Sequence, residues 1–349
     1  MTEDKNNKSR QIPIVCPGHT RPLAELQFVH VKSSGEQRTF LLSACHDRMP
    51  MLRDGVSGDW IGTFVGHKGA VWSCQMDDSG SLAATASGDF SCKIWDAITG
   101  QSLLDLPHKH IVKTCVFSPN STRLATGGKE AVLRIFNLKD SLLSSNGKSS
   151  MKGAPPAMEI KQASPITKLL WMSDTVVFCA CADGNIYVWD IPEPIPSEDG
   201  SGTTTNPAPP TQPTHTLSTK DGDEIRDMEL CSITGSSKQI LTVAAGTKVY
   251  FFDVEGPAAM GTCLHSYTMP IHFREEGGAS LHPSGTKFVA GGSDLWVRVF
   301  DYATGQELEC HKGHHGPIRC VRYAPDGNSY ATGSEDGTIR LWKTEPESE

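Results

Sequence analysis

Hydrophobic and polar positions alternate in short runs along this chain, with turn residues between them. Near the end, Cys320–Tyr323 and Tyr330–Gly333 flank Pro325-Asp326-Gly327, a pattern that predicts strands joined by tight turns. The pattern recurs. Gly313–Lys343 and Gly66–Asp96 share a His, an apolar residue four later, an Asp, and an aromatic six beyond that Asp. These are His314, Ile318, Asp336 and Trp342 in one stretch and His67, Val71, Asp89 and Trp95 in the other. The frame returns as His19, Leu23, Asp47 and Arg53, then as His108, Val112, Glu130 and Phe136. It continues as Gln162, Ile166, Asp183 and Trp189, as Asp221, Ile225, Gly246 and Phe252, and as Asp294 with Phe300. The closing positions 53, 95, 136, 189, 252, 300 and 342 are separated by 42, 41, 53, 63, 48 and 42 residues.

A period near 42 with a Gly-His opening and a Trp-Asp close resembles the WD repeat. Four strands per unit make one blade, and a blade alone leaves its apolar faces bare. The expected fold is therefore all-β: a single-domain, seven-bladed WD-repeat β-propeller over residues 11–343. Gln11–Cys16 is expected to supply the outer strand of the last blade and close the ring. Residues 1–10 are expected to be disordered and 344–349 to form a short tail. The long intervals place flexible insertions at about 141–157 and 192–216, which lack aromatics and periodicity. His272–Gly278 (HFREEGG) puts charges where blade six should begin, which leaves a distorted blade or a charged protrusion open.

Composition narrows the function. At roughly 150 residues per domain, 349 residues would allow two domains, but the repeat favours one ring. The net charge of −8 argues against a dominant nucleic-acid surface and against direct nucleic-acid binding. Met1–Arg10 has no apolar core, so no secretory signal is expected. The longest apolar run, Val176–Ala182, is too short to insert in a membrane. Eleven scattered cysteines, none in Cys-x-x-Cys spacing, fit reduced thiols in a cytoplasmic and nuclear protein.

His67, Ser87 and Asp89, repeated as His314, Ser334 and Asp336, resemble a catalytic triad when taken out of context. A catalytic site is not built twice and allowed to decay elsewhere, here to Cys45, Gly128, Cys181 and Gly292 at the Ser position. With Trp95 and Trp342 they read instead as structural tetrads that satisfy buried polar groups. No catalytic residues, cofactor or metal are expected. His108, His110, His311, His314 and His315 lack acidic or thiol companions at ligand spacing. Gly147-Lys148-Ser149 has Leu142 where a phosphate-binding loop needs its first Gly.

What remains is surface. Residues just after the His corner and just before the turn Asp should ring one mouth: Trp72, Lys113, Arg226 and Arg319, with His46, Lys129 and Glu335. An exposed Trp among Arg and Lys has the make-up of a protein-binding hot spot. The alternative is a plain polar rim with Trp72 tucked against a neighbouring blade.

Longer stretches resemble one family, the serine/threonine kinase receptor-associated protein (STRAP, also called unr-interacting protein). The carriers are Phe40–Trp72, His108–Gly128, Ala279–Gly292 and Gly305–Gly327. Arg53 and the His-Lys-His opening at His108 fit this family rather than WD repeats at large. The resemblance implies a non-catalytic scaffold in the survival-of-motor-neuron complex, which loads Sm proteins onto spliceosomal RNAs. It further implies an RNA-binding translation regulator and, in animals, a TGF-β receptor kinase and Smads as partners. The i subunit of translation initiation factor three is the main rival reading, and a propeller hydrolase is the rival from the enzyme class.

Overall fold

The computed structural model describes residues 11–33, 36–138, 151–152, 155–196, 204–219, 221–256, 260–273 and 277–344. Seven antiparallel sheets follow one another along the chain and form a seven-bladed propeller. The inner strands are Leu23–Ser33, Val71–Met76, Val112–Phe117, Ile166–Trp171, Ile225–Ser232, Gly278–Leu281 and Ile318–Tyr323. The outer strand of the last blade comes from the other end of the chain: Ile14–Cys16 pairs with Ile339–Lys343, Ile14 opposite Leu341. The first and last segments are thus hydrogen-bonded into one blade, as expected.

The core is distributed. Each of seven apolar clusters among the described residues joins two neighbouring blades. Trp95 lies between blades one and two, and Trp342 between blades six and seven. Both faces of each sheet are therefore covered, which explains middle strands such as Arg123–Gly128 in which every residue is buried. Near-continuous burial ties each blade's stability to its neighbours.

Turn chemistry sets the blade edges. The Asp after a closing position accepts bonds from backbone two and three residues on, as Asp54 does from Val56 and Ser57 and Asp96 from Ile98 and Thr99. Gly100 (φ 72°) then donates to the Asp96 carbonyl and turns the chain into the outer strand.

Several expectations fall partly or wholly on residues that are not described. The termini 1–10 and 345–349, most of 141–157 and part of 192–216 lie outside. Within these spans, Met151–Lys152 pairs in parallel with Ser102–Pro107, the outer strand of blade two. His215 and Thr216, expected to lie in an insertion, belong to the outer strand of blade four, His215–Ser218. In the odd segment, Phe273 is buried and its amide donates to the Gly246 carbonyl, while residues 274–276 are not described. An aromatic plug into blade five's neighbour cluster thus precedes the short inner strand of blade six.

Candidate protein-interaction mouth

Six inner strands share one irregularity. The strand register shifts between Leu23 and Glu25, Val71 and Ser73, Val112 and Thr114, Ile166 and Lys168, Ile225 and Asp227, and Ile318 and Cys320. Each shift leaves one residue out of the ladder, and a bulge of this kind re-aims its side chain. The six residues are Ala24, Trp72, Lys113, Thr167, Arg226 and Arg319, and all six line a single central cavity of about 120 Å³. Lys129, in the turn after the middle strand of blade three, lines it too. The remaining two expected residues form a second tier. His46 meets Trp72 edge-on with ring centroids 4.3 Å apart, and Glu335 approaches Arg319 at 3.9 Å. All seven therefore sit at one mouth.

Trp72 is half-buried, packed against the blade one–two core on one side and bordering the central cavity on the other. The Lys113 ammonium sits 3.0 Å from its ring centroid, a cation on the electron-rich face. Trp72→Ala removes that contact and the His46 contact at a half-open site, and it should weaken partner capture at least about fivefold while costing roughly 1–2 kcal/mol of stability. Unfolding of the variant at room temperature, seen by circular dichroism, would make Trp72 a core residue instead.

Below the mouth lies a charge network that sequence reasoning missed. Lys168 bonds Glu25 at 2.5 Å and stands 3.8 Å from Asp227. Arg322 grips Asp227 with two bonds of 2.6 and 2.7 Å and approaches Glu229 at 3.8 Å. Four blades are cross-linked in this way. Burial pushes the Glu229 carboxyl up to about 7, with Arg322 only partly offsetting it. For Asp227, burial pushes up, yet the Arg322 charge and hydrogen bonds win and hold it below the usual carboxylate range. One signal was available: Glu25, Lys168 and Asp227 each stand one residue past the bulge, at positions that should be apolar in a bare core.

The blade tetrads have a different hydroxyl from the one expected. In blade two, Asp89 bonds His67 Nδ1 at 2.8 Å, and His67 Nε2 lies 2.7 Å from Thr85 Oγ1. The Trp95 indole N–H donates to that Thr85 oxygen at 2.8 Å. Blade seven repeats this chain through Asp336, His314, Thr332 and Trp342. Ser87 and Ser334 stand aside. Ser87 Oγ donates to the Gly69 carbonyl and accepts from the Asp89 amide, and Ser334 does the same with Gly316 and Asp336. The reason is reach: the serines sit at the strand end, whereas Thr85 lies further down the blade, under the indole. In blades two and seven neither serine bonds the histidine, so the Ser–His pair expected there is not formed. The sequence did carry the signal. A hydroxyl stands four residues before the turn position in Ser43, Thr85, Thr126, Thr242 and Thr332, but two before it only in Ser87 and Ser334.

Where the pattern decays, other groups substitute. In blade one His19 joins Asp47 and Ser43, but Arg53 replaces the indole and donates to the Gly58 and Pro17 carbonyls. His19, Cys45 and Asp47 bring their ligand atoms within 4.8 Å of one another. However, burial holds the Cys45 thiol protonated, pushed up to about 12, and it donates to the Arg21 carbonyl. In blade three Glu130 turns to Arg134 at 2.6 Å, and His108 bonds Thr126 and the Leu106 carbonyl instead.

The comparisons with known proteins agree with this architecture. The model of the WD domain, G-beta repeat, matches residues 58–96, 100–137, 157–190 and 305–343. The chain is 40% identical over 336 residues to the serine-threonine kinase receptor-associated protein of Dictyostelium discoideum, covering 95% of this chain and 98% of that one. The chain belongs to that family. The Gallus gallus member is 39% identical over 340 residues, covering 96% of this chain and 83% of that protein. Eukaryotic translation initiation factor 3 subunit I of Drosophila sechellia is more distant, 27% identical over 350 residues, with 94% of this chain and 95% of that one covered. A WD-repeat member of the receptor-associated family is a scaffold with protein partners. Among the described residues, no helix is long and apolar enough to cross a membrane. The repeat model passes over most of blade one and over blades five and six, where Arg53, Gly246 and Ala290 stand in for the aromatic, the Asp and the hydroxyl of the tetrad.

The family member's blade three carries a pH signature. Burial, with the nearby Arg134 charge, lowers His108 to about 4. The unfolded ring titrates near 6.5. Protons therefore enter the unfolded chain first, and stability should fall as pH drops from about 6.5 to about 4, by on the order of 3 kcal/mol. Urea midpoints across that range should flatten in His108→Gln; an unchanged slope would show that other groups govern it.

Proposed function

We propose that this protein is a non-catalytic adaptor that gathers partner proteins at the mouth ringed by Trp72, Lys113, Lys129, Arg226 and Arg319, with His46 and Glu335 behind them. The observation that carries the reading is the convergence of six bulged side chains on one cavity in a chain 40% identical to a receptor-associated family member. Bulges that aim charged and aromatic side chains outward cost sheet hydrogen bonds, and a purely structural ring has no need of them. The family points to service in the survival-of-motor-neuron complex, in spliceosomal ribonucleoprotein assembly, mRNA processing and splicing, in cytoplasm and nucleus. TGF-β receptor signalling and a translation regulator are the second branch of the same reading, following the kinase-receptor name of the relatives.

Affinity capture of the tagged protein with mass spectrometry tests this. Sm and survival-of-motor-neuron proteins, lost from Trp72→Ala, are the expected result. Recovery of initiation-factor subunits alone would favour the other branch of propellers, to which the 27% relative belongs.

A further inference from the structure

The chain as a whole is strongly acidic, with a net charge of −8. The mouth inverts that sign. Its lining holds four cations, Lys113, Lys129, Arg226 and Arg319, above Lys168, which is bonded to Glu25, against two carboxylates, Glu224 and Asp227. Asp227 is occupied by the two bonds from Arg322 beneath it. Arg226 is paired with Glu224 at 2.9 Å, and Arg319 stands 3.9 Å from Glu335. Lys129 is exposed and forms no ion pair among the described residues.

The walls are of two kinds. Pro165 and the Trp72 ring are apolar, backed by the buried Ile166 and Ile225, while the cations crown them. A cavity of about 120 Å³ holds roughly one side chain or a few waters. The opposite end of the channel has the opposite sign: Glu25, Asp77, Asp78 and Glu229 line it with Lys168 and Arg322. The molecule is thus polarised along its axis, and such a field orients a charged partner before contact.

We infer that the mouth docks an acidic segment of a partner protein, with one Glu or Asp side chain seated in the cavity. A methylene stem lies against Pro165 and the Trp72 ring, and its carboxylate meets the Lys and Arg crown. A Lys or Arg side chain would meet like charge, and a bare phosphate would leave the apolar wall uncovered. The inference rests on the mouth being the docking face.

Fluorescence anisotropy with a labelled hexaglutamate peptide is the test. The expected result is saturable binding that weakens about tenfold or more between low salt and about 0.5 M salt. Lys129→Glu should weaken it at least about fivefold, and Arg319→Glu similarly. Asp78→Lys, at the far mouth, should not weaken it. Lys129 is exposed, so its variant keeps the test valid if Arg319→Glu fails to fold. No saturable binding, equal binding of hexalysine, binding only of a phosphoserine peptide lacking acidic neighbours, binding only of a single-stranded oligouridine, or indifference to Lys129→Glu would each overturn the inference. Partners lost from Trp72→Ala but not displaced by hexaglutamate would overturn the acidic occupant alone. Partners retained by both Trp72→Ala and Lys129→Glu would remove the docking face itself.

Discussion

Replacing Arg322 with alanine is expected to destabilise the propeller by about 3–5 kcal/mol, the largest single-residue effect outside the blade cores. Arg322 is buried and its guanidinium is the only cation bonded to both Asp227 oxygens among the described residues. Removing it leaves Asp227 charged and desolvated, with only Lys168 nearby at 3.8 Å, and leaves Glu229 without its nearest positive neighbour. The loss should shrink as pH falls. In the parent protein the Arg322 charge holds Asp227 ionised, whereas in the variant both carboxyls are pushed up by burial and take up protons. The deficit is therefore greatest above pH 7 and smaller near pH 5. Urea midpoints of the single variant and of Arg322→Met with Asp227→Leu decide the matter. Removing both charges should recover much of the loss, because a buried pair replaced by apolar side chains costs far less than a broken one. A single variant as stable as the parent at pH 8 would show that the network adds nothing to ring closure.

Thr85→Val is expected to cost about 2–4 kcal/mol, because one hydroxyl serves two buried partners. Valine keeps the shape but strands the Trp95 indole N–H and His67 Nε2. Ser87→Ala should cost about 1 kcal/mol, since its bonds are to turn backbone at a part-buried site. The same order is expected for Thr332→Val against Ser334→Ala in blade seven. Equal losses, or the reverse order, would return the serines to the relay.

The two predictions mark where reading the sequence ran short. The His, Asp and Trp of each tetrad were legible because spacing alone carries them: the His corner and the turn Asp lie 22 residues apart in both blades. The hydroxyl was not assigned correctly. Thr85 and Ser87 alternate onto one face of the same strand, and only the depth of the Trp95 ring in the blade separates them. The mouth residues were legible for a similar reason. Six of the seven repeats place the bulge at the same offset from the His-corner position, so reading that offset finds Trp72, Lys113, Arg226 and Arg319. Ala24 and Thr167 stand at the same offset and line the same cavity.

Local chemistry along the chain determined the repeat, the turns and the offset of the mouth residues, because each depends on contacts within about one period of sequence; counting the repeats then gave the blade number and left Ile14–Cys16 to pair with Ile339–Lys343 at the far end of the chain. Tertiary structure alone decided the network of Glu25, Lys168, Asp227, Glu229 and Arg322, whose members come from four blades and lie up to 143 residues apart across one bond. No periodicity reports which inner strands face each other across a channel. Closure of the ring brings these charges together, and burial then makes their pairing obligatory.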